Sequence, residues 1–586
     1  MQLFSPRPNR PGIGRTVLIV VLIVILVIAG VGAYALSRST TSSTSSSTTS
    51  TPKTLVVDET LGEPSGLDVA WSTDAPAYEI EQNIYQGLVW YTSNDTTNFT
   101  GVLATSWTES ANGLTYTFNL RQGVKFSNGD TFSAYDVWFN YYRLTLNNGP
   151  PAYIIGPVMF SPGSVTLNDL NTFNYQNPTA AQLAVMENPS NSIQVVSQYV
   201  IAFHLSAPLG SFLARLAAPP GGIEDSTFVV ANGGVAANGT ENDYVDANGA
   251  PGTGPYVVSN WNHGTSITLG LNPDYWGPKP QVSTVVIQYK SNTLDAINDV
   301  KTGAAQMMYT VPVNLLPSIS GTAGVSLENH GLSDDIAWLS LNTQAYPLNI
   351  TNVRLAINYA VNKSSIIQNI LSGYGVLFQG PVPSGMFGYN SSIVPTGYNV
   401  AMAQSLLTQA GFPGGKGIPP LSLLYYTGDP VSQAVISAIA SDLSAIGITV
   451  TLDAVSQATY FNILATTPRV ANYPDIIWSI WFPDFGYPDD YAYSFENIAS
   501  VFDNANMNNT NLNIWSSDAI NASSPALQAS LYSQIQTLDK SLSANVWLFQ
   551  FEVGDGIPAY TSAVTSSSVY WNPILYGFNY SAIRMP

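Results

Sequence analysis

One segment divides this chain before any fold is considered. Thr16–Leu36 is a run of 21 apolar or small residues without a single charge. A helix needs about 20 such residues to cross the hydrocarbon core of a bilayer. Arg7, Arg10 and Arg15 precede the run, so the positive-inside bias puts the N-terminus in the cytoplasm and the rest of the chain outside. A secretory signal is the competing reading, because Ala33-Tyr34-Ala35 has the form of a cleavage site. The run exceeds the roughly 7–15 apolar residues of a signal core, which favours a retained transmembrane anchor at 16–36 behind a cytoplasmic stretch at 1–15. Ser37–Thr51 follows, Ser or Thr at 14 of its 15 positions, with nothing apolar to bury. Such a segment is an extended linker.

From Pro52 onward the chain is a folded body outside the membrane. It holds 14 Lys and Arg against 37 Asp and Glu, a net charge of −23. That balance excludes nucleic acid as a partner, since phosphate binding requires a basic face. The chain has no cysteine. Disulfides, thiolate metal sites, cysteine nucleophiles and a lipid-bearing N-terminal cysteine are thereby excluded. Only 9% of residues are charged, and scarce bases limit the positive charge left when carboxylates protonate. The composition suits life in acid. Nine Asn-x-Ser/Thr sequons, from Asn94 to Asn579, are consistent with a glycosylated external surface.

The body reads as mixed α/β. Tyr116, Phe118 and Leu120 alternate with polar residues over Thr115–Leu120, the pattern of a half-buried strand. Ser133 with Asp136 three residues on predicts a helix N-terminus. Val353, Ala356, Ile357 and Ala360 repeat at helical spacing, and a second helix starts at Asn362. Ala403, Leu406, Leu407 and Ala410 form another such stripe, stopped by Gly411. Ile436, Ile439, Leu443 and Ile446 form a third, followed by a strand over Ile448–Leu452.

Several stretches run in a recognisable order: Gly87-Leu88-Val89, Leu103-Ala-Thr-Ser-Trp107, Gly113–Arg121, Gly123–Asp130, Gly252-Thr-Gly-Pro-Tyr256, Asn272-Pro-Asp-Tyr-Trp276, Val353–Ala360, Ala403–Gly411 and Ile446-Gly-Ile448. From Leu55 to the C-terminus the chain closely resembles the peptide/nickel-type (family 5) solute-binding proteins of ABC importers. That resemblance implies a two-lobed, type II periplasmic-binding-protein-like clamp in its large three-domain form. Lobe one would comprise 52–85, 216–329 and 545–586, an inserted domain 86–215, and lobe two 330–544. It also implies a non-enzymatic monomer without cofactor or metal. Its ligand, a peptide or an oligosaccharide, would be held between the lobes and delivered to permease subunits driven by separate ATPase subunits.

In peptide-binding members an aspartate three residues after a tryptophan pairs with the ligand's α-ammonium. Trp481 and Asp484 match that spacing, with Phe482 between them. A carboxylate in a closed, water-poor cleft attracts an ammonium far more strongly than one in bulk water. Below about pH 4, however, an ordinary aspartate is largely protonated. Sugar-binding members use aromatic faces instead, and Trp338, Trp71 and Trp261 are candidate platforms. The resemblance implies a salt bridge within lobe two for Arg354. His204, His263 and His330 show no metal-site spacing. A tethered glycoside hydrolase remains a further alternative, because two distant carboxylates leave no local motif.

Overall fold

The computed structural model describes residues 53–92, 95–156, 159–236, 239–328, 331–465, 473–522, 524–552, 556–569, 571–572 and 577–586. The apolar run at 16–36 and the Ser/Thr linker lie outside the described residues. Among those described, no helix is long and apolar enough to cross a membrane.

Two large sheets organise the body. The first has seven strands in the order Val325–Leu327, Ile557–Thr561, Met307–Val311, Lys53–Glu59, Val282–Tyr289, Ser266–Leu271 and Tyr256–Asn262. Its centre is Lys53–Glu59, parallel to both neighbours. A strand covered on both faces must be apolar throughout its middle, and Leu55 and Val57 are fully buried there. Its last two residues, Asp58 and Glu59, are buried as well.

The second sheet has six strands in the order Gly375–Val376, Asn545–Phe551, Ile336–Leu341, Ile476–Trp481, Leu421–Tyr426 and Val450–Val455. Leu421–Tyr426 and Val450–Val455 run parallel, so a crossover must join them. Helix Pro430–Ala445 supplies it, with Asp429 as N-cap and proline in its first turn. Its buried stripe includes Ile436, Ile439 and Leu443. The strand expected at 448–452 begins two residues later, at Val450.

Between Lys53–Glu59 and the seven-stranded sheet's next strand along the chain, Tyr256–Asn262, lies a separate layer. It holds a four-stranded antiparallel sheet (Ala104–Glu109, Thr115–Leu120, Val200–His204, Ile193–Ser197) and the hairpin Val89–Thr92/Asp95–Gly101. Tyr116, Phe118 and Leu120 face inward, as the alternation predicts. Helix Ala134–Asn147 opens with a reciprocal capping box between Ser133 and Asp136. This layer has its own core, built on Trp138, Phe139, Tyr141, Phe203 and Phe212.

One boundary moves. Asn545–Phe551, expected to open the last segment of lobe one, pairs with Ile336–Leu341 inside the six-stranded sheet. The chain returns to the seven-stranded sheet only at Ile557–Thr561. All seven residues of Asn545–Phe551 are buried, so this strand is an interior member of the second sheet.

Candidate functional site

Strand Ile476–Trp481 runs parallel to Leu421–Tyr426, and its carboxyl end opens into the loop 482–488. In open α/β sheets, ligands bind at such carboxyl ends, where side chains converge without closing a strand ladder. Trp481 is the last strand residue, and Asp484 lies three positions further, half-buried.

The loop is held from below by one carboxylate oxygen. Asp490 Oδ2 accepts the Trp481 indole N–H at 3.1 Å and the Asp484 backbone N–H at 3.0 Å. Asp490 stands in the first turn of helix Asp489–Glu496, so the helix start, the indole and the loop are locked together. Above the loop, the Tyr153 hydroxyl donates to Asp484 Oδ2 at 2.5 Å. Tyr153 comes from the short 3₁₀ turn Pro150–Tyr153 of the separate layer, 331 positions away in the chain. Its ring meets Phe502 edge-on at 5.4 Å, and Phe502 in turn meets Trp481 at 4.9 Å. Tyr153, Phe502 and Trp481 thus make an aromatic wall beside one carboxylate.

Among the described residues, no basic side chain forms an ion pair with Asp484. Burial raises its pKa to about 6, while the Tyr153 hydrogen bond and the charge of Arg215 pull it down. Asp490 is pushed well above the carboxylate range by burial and then by the Asp484 charge. Two carboxylates this close cannot both ionise cheaply. Each carboxylate therefore disfavours ionisation of the other.

Beyond Asp484 the loop enters the neighbouring layer. Phe485 is only 1% exposed and belongs to that layer's core, although it lies in a different stretch of chain from the layer's strands. The Gly486 N–H donates to the Tyr91 hydroxyl at 3.0 Å. Tyr487 donates to Gln528 at 2.7 Å, and both side-chain ends pack close to Gly210.

Residues 98–500 fit the model of the bacterial extracellular solute-binding proteins, family 5 Middle. This chain belongs to that family. The di/tripeptide-binding protein 2 of Pseudomonas aeruginosa is 29% identical over 463 residues, covering 77% of this chain and 80% of that protein. Among solved structures, the periplasmic binding protein DppA of Helicobacter pylori in complex with the peptide STSA aligns with a TM-score of 0.71. The two share 24% identity over 91% of this chain and 98% of that one. The dipeptide binding protein of Pseudoalteromonas sp. SM9913 with Met-Leu gives the same score at 19% identity, covering 91% and 100%. The fold is therefore the α/β periplasmic-binding-protein-like one.

Within this solute-binding protein the candidate residues separate. Trp481 ends the strand, Phe482 and Asp484 follow it in the loop, and Phe482 is half-buried there. Trp71 is half-buried too, and its ring edge would meet a Cβ placed on Gly149 at 3.1 Å. It therefore flanks the turn that carries Tyr153. Trp338 is a correction. It is 2% exposed, packed at a tilt against Phe495 and Trp547, with its N–H donated to Ser340 at 2.8 Å. Every residue of Ile336–Leu341 is buried, so its indole is part of the core and offers no platform. Trp261 packs at a tilt against His263 on the edge strand of the seven-stranded sheet. Arg354 makes no salt bridge among the described residues. It donates to the Leu348 and Leu542 carbonyls at 2.7 and 3.0 Å and to Thr351 at 3.1 Å. Sequence reasoning missed Tyr153, Phe502, Asp490 and Arg215. Asp490 alone had a signal, its place next to the loop motif.

Proposed function

We propose that this protein captures peptides between two lobes by their amino terminus and passes them to an ABC importer. The observation that carries the reading is Asp484: a carboxylate beside an aromatic wall, bonded to a neutral hydroxyl and to no cation among the described residues. An α-ammonium supplies the missing positive charge, and the side chains that follow it find Trp481, Phe482, Tyr153 and Trp71 nearby. The relative from Pseudomonas aeruginosa is named for di- and tripeptides, which supports the same ligand class.

In this reading lobe one comprises 52–85 and 216–329 with the chain after Phe551, the inserted domain is 86–215, and lobe two runs from 330 through Phe551. Closure of the lobes buries the ligand and presents the shape a permease recognises. The permease subunits and separate ATPase subunits complete the importer. The apolar run at 16–36 anchors the body at the outer face of the membrane, with the Ser/Thr segment as tether.

A second reading is a neutral oligosaccharide. It is favoured by the raised pKa of Asp484 together with the aromatic wall, since a sugar needs rings and hydrogen bonds, not a charged partner. A thermal-shift screen separates the two, because a ligand that binds only the folded state raises its melting point. Di- to pentapeptides should raise it, and cello- and malto-oligosaccharides should not. The reverse outcome selects the sugar reading.

A further inference from the structure

Arg215 makes four hydrogen bonds at one place. It lies in helix Phe212–Leu216 of the separate layer and is buried to 6% exposure. Its Nη2 donates to Asp489 Oδ2 at 2.8 Å, and Nε donates to the Ser211 hydroxyl at 2.9 Å. Ser211 itself donates to the same Asp489 oxygen at 2.8 Å. Nη1 reaches the backbone carbonyls of Tyr153 and Ile154 at 3.1 and 2.9 Å. The guanidinium plane lies 4.2 Å from the centre of the Phe485 ring.

Three pieces of chain therefore meet on one side chain. One is the turn whose Tyr153 caps Asp484. Another is the loop that carries Asp484 and Phe485. The third is Asp489, next to the Asp490 that holds the loop's indole and backbone. We infer that Arg215 is the positioning residue of the ligand site: it clamps the Asp484 loop and the Tyr153 turn together, and so sets the place where an incoming cation is met. Only an arginine fits this role. A lysine ammonium is a point charge that can hold Asp489 but lacks the planar fork for the two carbonyls and the serine. Removing the guanidinium leaves Asp489 buried without its counter-charge, an arrangement that drives the loop off the layer.

The inference rests on the reading of Asp484 as the ammonium partner, and the test keeps the two apart. Trialanine and N-acetyl-trialanine are titrated into the full chain and into its Arg215→Gln, Arg215→Lys and Asp489→Asn variants. For Arg215→Gln, which acts on the ligand only through the loop it positions, the preference for the free amino terminus should fall roughly tenfold. Arg215→Lys should recover part of it. The double variant Arg215→Gln/Asp489→Asn should be no worse than the worse of its two single variants, because both act through one contact.

A ligand-free arm uses the absence of cysteine from the chain. Spin labels at Ser190→Cys and Ser444→Cys, both exposed, report the distance between the separate layer and the helix beside the six-stranded sheet. The parent should give one narrow distribution, and Arg215→Gln a broader and longer one. Unchanged distances together with an unchanged amino-terminal preference overturn the inference. If trialanine fails to bind the parent, the peptide reading is what fails, and the distance measurement alone decides on Arg215. Should Arg215→Gln not fold, Ser211→Ala removes a single limb of the clamp and must move the same readouts in the same direction.

Discussion

At the scale of single residues, the site is the Asp484 carboxylate, with Asp490 bonded to its backbone N–H. Asp484 can grip an ammonium only when ionised, and burial raises its pKa to about 6. Affinity for a peptide should therefore hold above that value and weaken as pH falls through it. The Tyr153 hydroxyl stabilises the ionised form, so Tyr153→Phe should move the midpoint of this loss to higher pH. Titration calorimetry between pH 4 and 8 reads the midpoint, and one that stays put or moves down contradicts the role given to Tyr153. Asp484 and Trp481 were legible from their spacing, but Tyr153 was not. Nothing local marks a tyrosine that meets its partner 331 positions away. Trp338 misled for the opposite reason. A strand resembling one that passes near a cleft can still be buried on both faces, and Ile336–Leu341 is.

Elements decide which way the loop faces. Phe485 ties the end of strand Ile476–Trp481 into the core of a layer built from distant sequence. Phe485→Ala should cost about 3–5 kcal/mol, the range for a large aromatic removed from a packed core. It should also loosen the Asp484 loop. Urea unfolding checks the first and trialanine affinity the second, and a loss below about 1 kcal/mol would show that the ring is not an anchor. Helices were read well from sequence because their signals are local. The capping box at Ser133 and Asp136 and the start at Asn362 both stand where the residues put them. Strand membership was read less well. Asn545–Phe551 has the apolar run of an interior strand, but such a run does not say which sheet it enters. Only long-range pairing decides that, and it placed the return crossing after Phe551.

Across the whole molecule, the acidic balance has a structural counterpart. Glu79, Asp136 and Asp539 are almost fully buried on three different helices, and burial raises each to a pKa of about 7. In the unfolded chain these groups titrate near 4. Below about pH 4 both states are protonated and the stabilising contribution is fully present. As pH rises from about 4 to 7 the unfolded chain releases protons that the folded one retains, so stability falls. Above about 7 the folded groups ionise too and the decline levels off. Melting temperature should therefore be higher at pH 4 than at pH 7. A maximum near neutrality with collapse below about pH 4 contradicts this account of the acid-rich body.

The same pH range is where Asp484 loses its charge, so stability and peptide capture pull in opposite directions. That opposition makes the nature of the ligand the central question. Its most direct test is calorimetric titration of the full chain and its Asp484→Asn variant at pH 7.5 with trialanine and with N-acetyl-trialanine. The account predicts that Asp484→Asn weakens trialanine by at least about tenfold, in line with the loss of one partner of a charge pair, and leaves the acetylated peptide unchanged. Equal affinity of both variants for trialanine would contradict it.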